Sequence, residues 1–119
     1  MTTDSGDRFS RDLSTRLRRA TVRTGLSVPQ MARLLATGVS SVEAWSEGTS
    51  VPAGPPVLRI TELLEILDRL DPVVGPKDIK SWLYTANDQL DGATPAEMIE
   101  RGNGWAVAAL ISRMDKLTA

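Results

Sequence analysis

The groups with chemistry to offer in this 119-residue chain are cations near its front and carboxylates toward its back. Arg8, Arg11, Arg16, Arg18, Arg19 and Arg23 crowd one early segment that contains no lysine. A guanidinium is a planar fork that matches a phosphate, so this choice of cation suits phosphate contact as well as solubility. Residues 1–59 carry eight Lys/Arg against five Asp/Glu, and residues 60–119 carry six against ten. The first balance suits phosphate and the second suits a basic protein surface, although such asymmetry also occurs without functional meaning. There is no cysteine and no histidine, so a disulfide framework, a thiolate metal site, a cysteine nucleophile and an imidazole base are all absent. The expectation is a non-enzymatic chain with no metal and no cofactor.

The segments that carry these groups read as helices throughout. Phe9, Leu13, Leu17, Ala20 and Thr24 recur at helical spacing and fall within an arc of about 80°, with the six arginines spread over about 160° on the other side. That outer face is either a solvated one or a phosphate-contacting one. Residues 1–6 read as a disordered polar start, and Gly25 ends the helix. Ser27 caps a second helix with Gln30 as its capping-box partner and Pro29 in the first turn, and this helix runs to about Leu35. A turn at Ala36-Thr37-Gly38 leads to a third helix from Val39 to Glu47, stopped by Gly48, and Pro52, Pro55 and Pro56 are expected to keep the next segment extended. Two short helices around a tight turn form a helix-turn-helix pattern.

From Val57 to Leu70 the residues Ile60, Leu63, Leu64, Leu67 and Leu70 mark a fourth helix. Leu58 and Ile66 lie off its stripe, so it is either a spine joining two halves or part of a dimer contact. Residues 71–76 read as a linker and Lys77 to Tyr84 as a short helix. Gly92 gives a turn, Asn87-Asp88 offers side-chain oxygens to the loop backbone, and Thr94, Pro95 and Glu97 mark a strong helix start. The last helix, about Asn103 to Lys116, has a core stripe of Val107, Leu110, Ile111, Met114 and Leu117. A second stripe of Trp105, Ala108, Ala109 and Ser112 is small apart from its tryptophan, which is either packed within the chain or an anchor for a partner. No apolar run approaches the roughly 20 residues needed to cross a bilayer, and the polar start lacks a signal-peptide core, so a soluble cytoplasmic protein is expected.

The residues Trp82 and Leu83, Asn87 and Leu90, Gly92 before Thr94-Pro95, Glu97 with Met98 and Ile99, and then Val107 and Leu110 resemble the toxin-binding domain of the MbcA/ParS/Xre antitoxins. The front half resembles the Xre-type DNA-binding domain, through Ala32 between the paired helices, Val42 and Trp45 as inward anchors, and Trp45-Ser46-Glu47-Gly48 followed by Pro52. Ala36 stands where that family commonly has glycine, Gly38 where a serine cap is common, and Val28 where a glutamine often touches phosphate. No Lys or Arg occurs between Ala36 and Leu58, so guanine cannot be read there by a bidentate arginine.

The resemblance spans about Leu13 to Met114. It implies an all-α fold, with a helix-turn-helix unit over residues 7–70 and a small helical toxin-binding unit over 71–119. It further implies a type II antitoxin whose partner is a RES-domain toxin acting on the ADP-ribose part of nicotinamide dinucleotide, working as a homodimer or as a hetero-oligomer with the toxin, with no membrane role. Such antitoxins commonly repress their own operon. Phosphate contacts are expected from Arg16, Arg19, Arg23 and Arg33, with limited base reading by Ser40, Ser41 and Glu43. Toxin contacts are expected from Tyr84, Asn87, Asp88 and Asp91 around the loop, and from Trp105, Ser112, Asp115 and Lys116 on the last helix. Trp45 and Trp82 are expected to be structural. A stand-alone helix-turn-helix regulator, or a toxin-binding module that has lost DNA binding, fits the same residues.

Overall fold

A computed structural model describes the backbone of residues 4–118, and side chains over 8–116 apart from residue 10. Among the described residues the fold is all-α, as expected: α1 Asp4–Thr24, α2 Val28–Leu34, α3 Val39–Glu47, α4 Pro55–Val74, α5 Ile79–Leu83, α6 Pro95–Glu100 and α7 Gly104–Thr118. Single 3-10 turns at Pro76–Asp78 and Asp88–Leu90 complete it.

The starts and stops follow local chemistry. Ser27 Oγ accepts from the Gln30 N–H at 3.2 Å while Gln30 Oε1 accepts from the Ser27 N–H at 2.9 Å, so two orphan donors of α2 are satisfied reciprocally. Gly48 takes a left-handed φ of 79° and ends α3, returning its N–H to the Trp45 carbonyl. The turn after α2 is tighter than its residues favour, because Ala36 holds φ at 54°, a region that glycine enters without a Cβ penalty.

Four expectations give way. Residues 4–6 belong to α1 instead of a polar coil, and residues 1–3 lie outside the described part. Phe9 sits on the right face of α1 but is 50% exposed, since periodicity decides the face of a helix and not whether another element lies opposite. Pro55 and Pro56 form the first turn of α4, where a missing N–H leaves nothing unpaired. At its other end α4 passes through the expected linker to Val74, with Pro72 inside its last turns. That irregularity is tolerated because Val73 and Val74 pack on the core, Asp71 pairs with Arg23, and Gly75 closes the turn onto the Asp71 carbonyl at 3.0 Å.

α4 is the spine. Its buried residues Ile60, Leu63, Leu64, Ile66, Leu67 and Leu70 lie between α1 on one side and α7 on the other. They belong to one apolar cluster that also takes in Leu13, Leu17, Met31, Val42, Trp45, Leu83, Ile99, Val107 and Ile111. Ile66, which lies off the main stripe, is buried beside the start of α7: a Cβ on Gly104 would lie 3.4 Å from its Cδ1. Leu58 remains 64% exposed. In the last helix Val107, Leu110 and Ile111 are buried and Met114 is half-buried, while the Leu117 side chain lies outside the described residues.

Candidate functional site

The arginine face of α1 is partly committed to its own chain. Arg16 reaches Asp68 of α4 at 3.6 Å, Arg23 pairs with Asp71, and Arg18 donates to the Ser46 carbonyl at the end of α3 at 3.3 Å. Arg16, Arg19 and Arg23 line a cleft between α1 and α4 whose wall is Leu64, Leu67 and Ile79. These contacts are exposed, so each is worth at most about 1 kcal/mol, yet they orient the Arg16 and Arg23 guanidinium groups toward α4 and that of Arg18 toward α3. Arg33, on α2, is exposed and lies near enough to Tyr84 to oppose the other influences on its phenol. Ser40 and Glu43 are exposed on α3 and Ser41 is half-buried. The seven residues expected to meet DNA therefore sit on three helices with different neighbours.

The loop between α5 and α6 is built around Asn87. Its N–H donates to the Ala93 carbonyl at 3.0 Å, its own carbonyl accepts from Leu90 and Gly92 at 2.9 and 3.0 Å, and its Oδ1 accepts from the Gln89 N–H at 2.9 Å. Half-buried Asn87 thus holds the loop from within, as its side-chain chemistry suggested. Leu90 pins the loop to the body, and Asp91 bends it with a left-handed φ of 57°. Asp88 and Asp91 are left pointing out as exposed carboxylates. Beyond the loop Thr94 Oγ1 accepts from the Glu97 N–H at 3.1 Å and Glu97 Oε1 accepts from the Thr94 N–H at 2.9 Å. Those bonds to the Thr94 backbone and hydroxyl, with Arg101 nearby, hold the exposed Glu97 carboxyl below the usual carboxylate range. At the end of α5, Tyr84 has its phenol pushed up, first by burial and then by Glu100, with Arg33 acting in the opposite sense. It stays a neutral hydroxyl at ordinary pH.

The remaining predicted contacts run along α7 where it meets α4. Trp105 is 71% exposed and so is no part of the core, whereas Trp45 is buried at 6% and Trp82 packs half-buried against the core cluster. Ser112 Oγ lies 3.5 Å from Arg69 Nη1, and Asp115 borders the same shallow hollow beside Pro72. Lys116 is exposed in the last turn. Trp105, Ser112 and Asp115 thus share the α4 border of α7, while Tyr84 and the Asn87 loop belong to the α5–α6 end.

One residue escaped the sequence reading. Arg59, half-buried on α4, donates from Nη2 to the carbonyls of Leu34 and Ile99, each at 3.1 Å, and lies 3.5 Å from that of Glu100. It joins the last turns of α2 and α6, which are 65 residues apart by the numbers of the two bonded carbonyls. No local motif announces such a contact.

No protein-family model matches the chain. It is similar to the mycobacterial cidal antitoxin MbcA of Mycobacterium bovis and of Mycobacterium tuberculosis, with 28% identity over 92 residues, covering 77% of this chain and 81% of the relative. The fold is also similar to a chain in the crystal structure of the M. tuberculosis MbcT-MbcA toxin-antitoxin complex, with a TM-score of 0.76 and 27% identity, covering 87% of this chain and 94% of that one.

Proposed function

We propose that this chain is an antitoxin that binds and neutralises a cognate toxin and takes no part in catalysis. The observation that carries the reading is the likeness to MbcA, which extends over three quarters of the sequence and, as a fold, over 87% of the chain, and whose solved form is a complex with a toxin. The toxin belongs to the RES-domain class that handles nicotinamide dinucleotide, as the resemblance of residues 81–114 to the MbcA/ParS/Xre antitoxins implies. The neutralising contacts lie in the 71–119 part, on the Asp88–Asp91 side of the loop and along α7 to Lys116. A cleft built to hold dinucleotide phosphates attracts carboxylates too. Both partners act in the cytoplasm.

Residues 7–70 serve as an Xre-like helix-turn-helix that represses the operon, as a dimer or within the toxin complex. Arg8 and Arg19, which form no ion pair among the described residues, carry more of the phosphate contact than Arg16 and Arg23, and Ser40, Ser41 and Glu43 read bases to a limited extent. The ion pairs of Arg16 and Arg23 with α4, together with the absence of cations from 37 to 58, favour a second reading in which DNA binding has been lost.

Two experiments separate these statements. Co-expression with the cognate toxin should be harmless with the full chain and lethal with a chain ending at Ile111, which keeps the buried residues of α7. Protection by the shortened chain would place the neutralising contacts elsewhere. Gel-shift titration on the upstream region, with and without toxin, should give binding that falls steeply with salt, because phosphate contacts release counterions. No shift at low salt would establish the second reading.

A further inference from the structure

Where α4 and α7 meet there is a cleft of which the antitoxin reading uses only Trp105. Its wall is the exposed indole of Trp105, its floor includes Ile66, and Glu62 and Glu65 stand on its α4 side. Glu62 comes close to the start of α7: its Oε2 would lie 3.9 Å from a Cβ on Gly104. Both glutamates are exposed, and neither has an ion pair or hydrogen bond among the described residues. Arg69 borders the same cleft four residues after Glu65, but it donates to Ser112 at 3.5 Å. The cleft therefore offers an aromatic face, an apolar floor and two carboxylates against one cation.

Few groups satisfy all three. An apolar side chain would cover the indole but strip water from two carboxylates without compensation. An anion would meet Glu62 and Glu65. A cationic side chain lays its stem on Ile66, its charge over the indole and its donors toward the carboxylates. Of the two cations, arginine fits better, because a planar guanidinium stacks on an indole and can bridge two carboxylates. The excess of ten acids over six bases in residues 60–119 favours such a partner at longer range. We infer that the Trp105, Glu62 and Glu65 cleft receives an arginine side chain of the bound toxin. This rests on the antitoxin reading and adds to it the partner's chemistry and two residues, Glu62 and Glu65.

The test uses the full chain and the toxin that co-purifies with it, with affinity measured by calorimetry for wild type, Trp105→Ala, Glu62→Gln with Glu65→Gln, and the triple variant. Trp105→Phe serves as a conservative control. Melting temperatures should match wild type, since all three side chains are exposed. Trp105→Ala and the paired glutamine variant should each weaken binding by about tenfold or more, Trp105→Phe by less, and the triple variant by clearly less than the product of the two losses, as expected when both contacts hold one group. Unchanged affinity in these variants, with wild type binding normally, overturns the inference and leaves the antitoxin reading intact. Fully multiplicative losses overturn the shared guanidinium. If Trp105→Ala instead dissociates a dimer of the chain alone and leaves toxin affinity unchanged, the cleft belongs to a second copy and the inference fails. Failure of the wild-type chain to bind the toxin refutes the antitoxin reading and takes this inference with it.

Discussion

Arg59 makes the sharpest test of how α2 and α6, far apart in the sequence, are held together. The last carbonyls of a helix lack intrahelical partners and carry the negative end of its dipole. In this fold one guanidinium serves two such ends, donating to the carbonyls of Leu34 of α2 and Ile99 of α6, each at 3.1 Å, with that of Glu100 marginal at 3.5 Å. Replacing it by methionine keeps an apolar stem and removes every donor. Each hydrogen bond involving a charged group contributes about 1.5–3 kcal/mol net, and water can replace part of it at a half-buried site, so the expected loss is about 2–4 kcal/mol. For a chain of this length that corresponds to a fall of roughly 8–15 °C in melting temperature. Heat and urea unfolding followed by far-UV circular dichroism, taken as two-state, measures it. Arg59→Lys should recover only part, because an ammonium on a flexible stem does not reproduce the fork. A loss below about 0.5 kcal/mol for the methionine variant, the range of an ordinary surface change, would show that solvent and the Gly102 N–H, which already donates to the Ile99 carbonyl at 3.0 Å, satisfy those carbonyls and that the bridge is incidental.

That residue also marks where sequence reasoning ends. The helix starts at Ser27 and Thr94 and the stop at Gly48 were legible because each is a local arrangement, the starts closed by their own capping side chains and the stop by the left-handed backbone of one glycine. The prolines misled for the same reason. Pro55, Pro56 and Pro72 are local breakers, but the first two fall where a helix needs no N–H and the third is overruled by Val73 and Val74 packing on the core. Asn87 could be read as a loop organiser from its side chain, and Trp105 could be placed off the core stripe of α7 from its spacing, which left open whether it packs within the chain or against a partner. Which of six arginines face solvent and which face α4 could not, since the partners Asp68 and Asp71 lie about fifty residues downstream and only the crossing of α1 over α4 brings them together. The pairing of Trp105 with Glu62 and Glu65 was hidden likewise, because it depends on how α7 returns along α4.

Three further perturbations probe the framework. Trp45→Ala should destabilise the fold by about 3–5 kcal/mol, as truncation of a buried aromatic does, and a loss under about 1 kcal/mol in urea would mean that its pocket collapses freely. Glu97 has a folded pKa below its unfolded one, so its contribution is present above the unfolded pKa and vanishes as pH falls through the folded one. The melting-temperature gap between wild type and Glu97→Gln should therefore be largest near neutrality and close in acid, and a gap independent of pH would contradict the charged capping box. The last case sets two backbone terms against each other at Ala36, which follows α2 with φ at 54°. An L-residue in that region costs about 1–2 kcal/mol, whereas glycine enters freely but loses roughly 0.5–1 kcal/mol more entropy on folding than alanine. The first term is the larger, and exposed Ala36 has little packing to forfeit. Ala36→Gly should then stabilise the protein by about 0.5–1 kcal/mol and raise its urea midpoint. A lower midpoint would mean that the turn bears no left-handed strain in solution and that the connection between α2 and α3 differs from the one described.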